Sequence, residues 1–293
     1  MSHEHEGRSH NRKRLTAVLV LTTVFLVAET VGGIVSGSLA LLADAGHMLS
    51  DVGGLAMAVL AMKFAERAPT PARTYGYHRV EILAALANAV VLILISFYIL
   101  WEAVDRFRNP PEIATGMMLG IAILGLIVNL IGVALLRSSS EQSLNAKGAY
   151  FEVLSDLLSS VGVIVAAVVM SVTGWLWADP LVSAGIGLFI LPRTWSLLME
   201  AVGVLLEGTP ADIDLESVRR AMEAVPGVER VHDLHVWTIT SGRNALSAHA
   251  VLRDGTAGSE ALELLRRSVA QFKIGHVTVQ IEGTDCGDPE AHI

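Results

Sequence analysis

Residues 38–51 read Ser38-Leu-Ala-Leu-Leu-Ala-Asp-Ala-Gly-His-Met-Leu-Ser-Asp51, and residues 152–156 read Glu152-Val-Leu-Ser-Asp156. Each stretch lies in an apolar run long enough to cross a bilayer, and each carries two ionisable groups four residues apart. On an α-helix that spacing puts both side chains on one face, a turn apart. Two such helices facing each other would supply four converging groups, His47, Asp51, Glu152 and Asp156, enough for a tetrahedral site. The shared Leu-Ser-Asp at the same offset, with one span running inward and the other outward, has the character of an inverted repeat.

The chain around these stretches is mostly apolar. Of 293 residues 52% are hydrophobic and 17% charged, against roughly 25% charged in an ordinary soluble domain, which excludes a water-soluble enzyme. Six apolar runs, near 15–36, 39–62, 82–104, 114–136, 148–173 and 178–206, each approach or exceed the roughly 20 residues that span a membrane. The first is too long for a signal-peptide core and has no clean small-residue cleavage site, so it reads as a permanent span. Gly33/Gly37 and Gly116/Gly120 have the small-xxx-small spacing of close helix packing.

Basic residues set the orientation. Arg8, Arg12, Lys13 and Arg14 precede the first span; Lys63, Arg67, Arg73 and Arg79 fill the second connection, and Arg137 and Lys147 the fourth. The odd connections hold only Arg106 and Arg108. The positive-inside rule then puts both termini and the even connections in the cytoplasm. The first and fifth connections are short, so spans 1 and 2, and 5 and 6, are expected as antiparallel neighbours. Trp175 and Trp177 suit the opposite interfacial belt.

Charge returns after about Thr209: residues 208–293 hold thirteen acidic and eight basic residues, a net charge of −5. With both signs interspersed, nucleic acid is excluded as a partner. An amphipathic helix over 214–225, strands near 229–240 and 245–253 turning at Gly242, a helix near 258–272 and a strand over 276–282 give an α-β-β-α-β order, that of a small α+β, ferredoxin- or metallochaperone-like domain. The fold class is therefore a membrane all-α six-helix domain with a C-terminal cytoplasmic α+β domain: 1–14 a tail, 15–207 the spans, 208–293 the soluble domain. Three residues after His232, His235 should face the other side of its strand. The lone Cys286 forms no intrachain disulfide.

Glu29, Asp44, Asp51, Glu152 and Asp156 lie within spans, and no Lys or Arg lies deep in the first five spans to pair with them. At roughly 2.5–3.5 kcal/mol or more each on insertion scales, such a cluster asks for a cation. Glu29 and Asp44 have a second reading as helix-packing hydrogen bonders, and Asn88 and Asn129 read as interhelical hydrogen bonders or cavity lining rather than as ligands. His3, His5 and His10, like His292, read as solvated tail residues before they read as cation collectors. A passive metal channel is the alternative to a carrier. An intramembrane protease lacks its motifs here: there is no His-Glu-x-x-His, and Leu188 follows Gly185-Ile-Gly187 where an aspartate would be needed.

Residues 38–51, with Tyr75-Gly-Tyr-His-Arg-Val-Glu-Ile-Leu-Ala84, Asn145-Ala-Lys-Gly-Ala-Tyr150 and Val231-His-Asp-Leu-His-Val-Trp237, resemble the cation diffusion facilitators, particularly the bacterial zinc, cobalt and cadmium exporters, along nearly the whole chain. The resemblance implies a homodimer in the cell inner membrane that exports Zn2+, with Co2+ and Cd2+ as further cargo, in exchange for protons. His47, Asp51, Glu152 and Asp156 would be its transport site. Many zinc-selective relatives have His at Glu152; one nitrogen and three oxygens make a harder site, loosening discrimination for zinc. The resemblance also implies an ion pair of Arg79 with Glu207 and a cytoplasmic metal site at His232, His249 and Glu282 with the Cys286 thiolate. No metal is expected near Pro69–Tyr77, where Arg73 and Tyr77 replace the relatives' ligands, and His78 reads as a solvated loop residue.

Overall fold

A computed structural model describes the backbone of residues 2–65, 67–140 and 144–283; side chains are described at 18–50, 52–53, 64, 67–137, 150–151 and 153–283. Six long helices come first: α1 Ser2–Ser36, α2 Leu39–Ala65, α3 Val80–Arg108, α4 Thr115–Ser140, α5 Leu144–Thr173 and α6 Ala178–Leu205. Among the described residues five helical stretches are long and apolar enough to cross a bilayer, and Leu39–Ser50 is the apolar start of α2. This is a multi-pass membrane protein. Valines 20, 24, 27 and 31 of α1, and Phe97 and Trp101 of α3, stay exposed, as lipid-facing side chains must. Trp175 and Trp177 are about half exposed in the α5–α6 connection.

The chain forms two compact units, residues 1–57 with 87–197, and residues 58–86 with 198–293. In the first, α4 packs along α5 and along α1 more extensively than the other described helix pairs do. Glycines of α4 lie at these contacts: a Cβ at Gly125 would come within 2.5 Å of the Phe25 ring on α1, and one at Gly132 within 2.9 Å of Val153 on α5. The expected Gly116/Gly120 pair has no such role, since among the described residues nothing lies within 4 Å of a Cβ at either position. Spacing alone cannot say which face of a helix meets a neighbour. The helices joined by short connections also touch, Gly33 against Leu42 and Gly162 against Val182.

At the start of the chain the tail residues 2–14 are helical and continuous with α1. No proline interrupts residues 2–36, and extending an existing helix is far less costly than starting one.

At the end of the bundle bearing the α1–α2 and α5–α6 connections, Asp179 of α6 is fully buried. It caps α2, accepting hydrogen bonds from Ser38 Oγ at 2.6 Å, Leu39 N at 2.9 Å and Ala40 N at 3.1 Å. A carboxylate at a helix N-terminus meets both the unsatisfied N–H groups and the positive end of the helix dipole. Arg106 of α3 completes the knot, reaching Asp179 at 3.4 Å, the Gly37 carbonyl at 2.6 Å and Glu102 at 3.0 Å.

In the second unit α7 Leu215–Glu223, β1 Val228–Thr240, β2 Arg243–Leu252, α8 Gly258–Val269 and β3 Ile274–Glu282 follow the expected α-β-β-α-β order. The sheet order is β1-β2-β3, with β1–β2 antiparallel and β2–β3 parallel. Val218 and Met222 of α7 and Leu265 of α8 pack on Val231, Leu234 and Leu246 of the sheet. Asp214 caps α7, and hydrogen bonds from Ser217 hold its carboxyl below the usual carboxylate range. Ser241 and Gly242, the latter at φ +72°, make the β1–β2 turn. That turn meets the start of α3: Thr240 and Ser241 donate to Glu81 at 2.5 and 2.9 Å, and Arg243 donates to His78 at 3.1 Å.

Replacing Asp179 by Ala would leave the buried Leu39 and Ala40 N–H groups without their acceptor, while Arg106 keeps Glu102 and the Gly37 carbonyl. The expected cost is about 2–6 kcal/mol, at about 1–3 kcal/mol for each of the two stranded donors. It would be read as a lower apparent melting temperature in detergent; a melting curve like that of the unaltered protein would refute the capping role.

Candidate metal centres

α2 is buried nearly all round at its start, with Leu39, Leu41, Ala43 and Met48 shielded from solvent, so Asp44 and His47 are buried with them. On α5 the buried stripe runs Val153, Asp156, Ser160, Val163, Ala167 and Met170, the 3-and-4 spacing of one helix face. The two faces bring His47 Nε2 within 3.5 Å of Asp156 Oδ1. The Asp51 and Glu152 side chains lie outside the described residues; their backbones are on the same two helices, four residues from these partners.

Around this pair the structure adds polar groups that spacing could not pair. The Ser159 hydroxyl of α5 lies within hydrogen-bonding distance of both Asp44 of α2 and the Asp156 carbonyl, the latter at 2.9 Å, and has one proton to share between the two acceptors. Asp44 is thus an interhelical hydrogen bonder. Glu29, on α1, is buried against Asp44 and within electrostatic reach of Asp156, so three helices contribute acids to one region. Asn129 donates to Ser160 at 3.2 Å and Asn88 to Ser50 at 3.4 Å, the interhelical role expected of both. The sequence signal missed was Ser159, one turn beyond Asp156.

The soluble domain gathers a second set. His232 of β1, His249 of β2 and Glu282 of β3 each offer one ligand atom, all within 4.8 Å of one another. His232 and His249 are directly opposed across the β1–β2 ladder, their rings edge-to-face at 5.1 Å. Glu282 meets each histidine with a different oxygen, Oε2 at 3.1 Å from His232 Nε2 and Oε1 at 3.1 Å from His249 Nδ1. Burial acts to raise the Glu282 pKa, but hydrogen bonds from His232 and Gln280 and the nearby imidazoles bring it below the usual range. Two nitrogens and a carboxylate oxygen suit a zinc-like divalent ion. Cys286 and His292 lie outside the described residues.

His235 is a correction. Simple alternation puts it on the face opposite His232, but an extra residue is inserted between them, since His232 pairs with His249 and His235 with Ser247. Val231, Leu234 and Val236 all enter the core, so His232 and His235 share the outer face. The inserted residue is Asp233, at φ +48°, whose Oδ1 lies 2.8 Å from His235 Nε2. His235 stands outside the three-residue cluster and is linked to it through Asp233. A hydrogen bond from His235 is the largest influence on Asp233 and holds its carboxyl below the usual range.

In the second connection Arg73 stacks on Tyr77 at 4.8 Å. Arg79 and Glu207 form their expected ion pair at 2.9 Å. His78, expected as a solvated residue, accepts from Arg243.

Comparison with known proteins shows the family. Residues 15–206 match the cation efflux transmembrane domain, and residues 210–284 the cytoplasmic domain of cation efflux proteins. The chain is 47% identical to the metal cation efflux system protein CzcD of Cupriavidus metallidurans, over 99% of this chain and 92% of that protein. It is 44% identical to the cadmium, cobalt and zinc/H(+)-K(+) antiporter of Bacillus subtilis, over 96% and 92%. With the zinc transporter ZitB of Escherichia coli it shares 39% identity, over 100% and 96%. With both domains matched in order and relatives aligned almost end to end, the chain belongs to the cation efflux, or cation diffusion facilitator, family of membrane transporters.

Proposed function

We propose that this protein exports divalent metal cations, zinc with cobalt and cadmium, from the cytoplasm in exchange for protons, by alternating access around His47, Asp51, Glu152 and Asp156. The observation that carries the reading is the buried approach of His47 to Asp156 at 3.5 Å, from two helices that each bear a second ligand-type residue one turn away. The relatives' names supply the candidate metals, and one supplies antiport. The spans are taken as 15–207 and the cytoplasmic domain as 208–293, in a homodimer of the inner membrane with both termini cytoplasmic.

The chemistry follows from shared atoms. Carboxylate oxygens and imidazole nitrogens that bind a metal also bind protons, so the two compete. Three carboxylates and a neutral imidazole around a divalent ion sum to −1, a site that repels no cation and gains from a proton once the metal leaves. Capture from the cytoplasm releases protons, and reprotonation from the far side expels the metal, without ATP. His47, of a residue type that titrates near neutrality, is one natural proton carrier. In the cytoplasmic domain His232, His249 and Glu282 would hold a metal, with Cys286 a further donor.

Purified protein in proteoliposomes, under an imposed pH gradient, tests the reading. Asp51→Ala and Asp156→Ala should each reduce zinc uptake to that of empty vesicles; normal flux through either variant removes the assigned site. High conductance indifferent to the pH gradient would identify a pore.

Glu152→His should raise the zinc-to-cobalt transport ratio by exchanging a hard oxygen for a borderline nitrogen. An unchanged ratio would show that oxygen count does not set selectivity.

A further inference from the structure

Asp233 is not needed as one of the three cytoplasmic ligands, yet the backbone is distorted to present it. Its φ of +48° lies in the left-handed region, which costs an ordinary side chain roughly 1–2 kcal/mol and which Asp and Asn tolerate best. The distortion sits at the bulge between His232 and His235, one residue from a candidate ligand. Bulges beside functional sites commonly re-aim a side chain. Here the re-aimed group is a carboxylate that falls between two imidazoles: Oδ1 is 2.8 Å from His235 Nε2, and Oδ2 is 3.6 Å from His249 Nε2.

The His249 ring therefore lies between two carboxylates, one on each nitrogen. Nδ1 faces Glu282 Oε1 at 3.1 Å, and Nε2 faces Asp233. With the Glu282 contact to His232 included, imidazole and carboxylate alternate through His232, Glu282, His249, Asp233 and His235. A neutral imidazole has one N–H, and a ligand nitrogen must be the other atom. Glu282 lies nearer Nδ1 than Asp233 does Nε2, but a divalent cation that takes Glu282 and Nδ1 as ligands leaves the ring proton only Nε2, and Asp233 is the carboxylate placed to stabilise it there. At 3.6 Å the contact acts through charge rather than as a formed hydrogen bond.

We infer that Asp233 is the positioning residue of the cytoplasmic metal centre, holding His249 in the tautomer and orientation that present Nδ1 to a divalent cation. This rests on reading His232, His249 and Glu282 as that centre. Carboxylates behind metal-bound histidines do this work generally, and losing one typically lowers metal affinity 10- to 100-fold. Charge balance points the same way. A divalent ion on two neutral imidazoles and Glu282 carries a net +1, and Asp233 neutralises it from behind the ring. His235, exposed at the strand surface, secures the carboxylate in place.

The test uses the full-length protein in detergent, on an Asp156→Ala background that disables the membrane site. Affinities for Zn2+ and Co2+ are measured by chelator competition, together with the Co2+ ligand-field spectrum. Asp233→Asn keeps a residue suited to the left-handed backbone and removes the charge. It should weaken binding about 10- to 100-fold, leave the Co2+ spectrum at saturation unchanged and leave the metal-free melting temperature unchanged. His235→Ala, which frees Asp233 without removing it, should weaken binding by a smaller factor. On a His249→Ala background, Asp233→Asn should have no further effect. Parental affinity in Asp233→Asn overturns the inference, as does an altered spectrum at saturation, which would make Asp233 a ligand. If Asp233→Asn does not fold, an effect of His235→Ala that persists without His249 also overturns it. Failure of the reading beneath it looks different: His232→Ala and His249→Ala would then bind metal as the parent does.

Discussion

A carboxylate inside a bilayer has no water to turn to, and each one must be met by protein or by a cation. That constraint organises the transmembrane unit more than any apolar contact does. Asp179 is met completely by the N-terminus of α2 and by Arg106. Asp44 is met in part, by Ser159. Glu29 and Asp156, by contrast, share their region with further acids. The same residue type is thus fully satisfied where the backbone and an arginine meet it and left among other acids where an imidazole lies beside it. The two settings are linked along one helix, because Asp179 fixes the start of α2, eight residues before His47.

Periodicity made much of this legible. Hydropathy located the spans, and i, i+4 spacing was enough to expect His47 near Asp156, because helix geometry turns sequence distance into direction. It could not say which helix brings a third acid: Glu29 reaches Asp44 only through the packing of α1, set by Gly125 accepting the Phe25 ring. The Gly116/Gly120 expectation failed for the same reason. A spacing motif describes one helix, and contact is a property of two.

The strand domain fails differently. Alternation is a strict rule until one residue is inserted, and then every later residue changes face. Asp233 is that residue, and the only trace in the sequence is its type, one of the few that accept a left-handed backbone. Reading Val231 to Trp237 as a regular strand separates His232 from His235; admitting one bulge at the aspartate reunites them and explains why Leu234 and Val236 reach the same core as Val231. The Glu81 contacts with Thr240 and Ser241 were not legible at all, since they join segments about 160 residues apart.

The attachments of α3 differ in strength. Near its C-terminal end, Arg106 and Asp179 are largely or wholly shielded, with 13% and 0% of their side-chain surface exposed, so separating them leaves charge in a medium that cannot hydrate it. Near its N-terminal end, Arg79 and Glu207 are 38% and 62% exposed, and such a pair contributes only about 0–1 kcal/mol. Glu81 adds two hydroxyl hydrogen bonds, each of which water can replace with modest loss. The first attachment is therefore costly to open, whereas the second can be broken and remade within the free energy of a few hydrogen bonds.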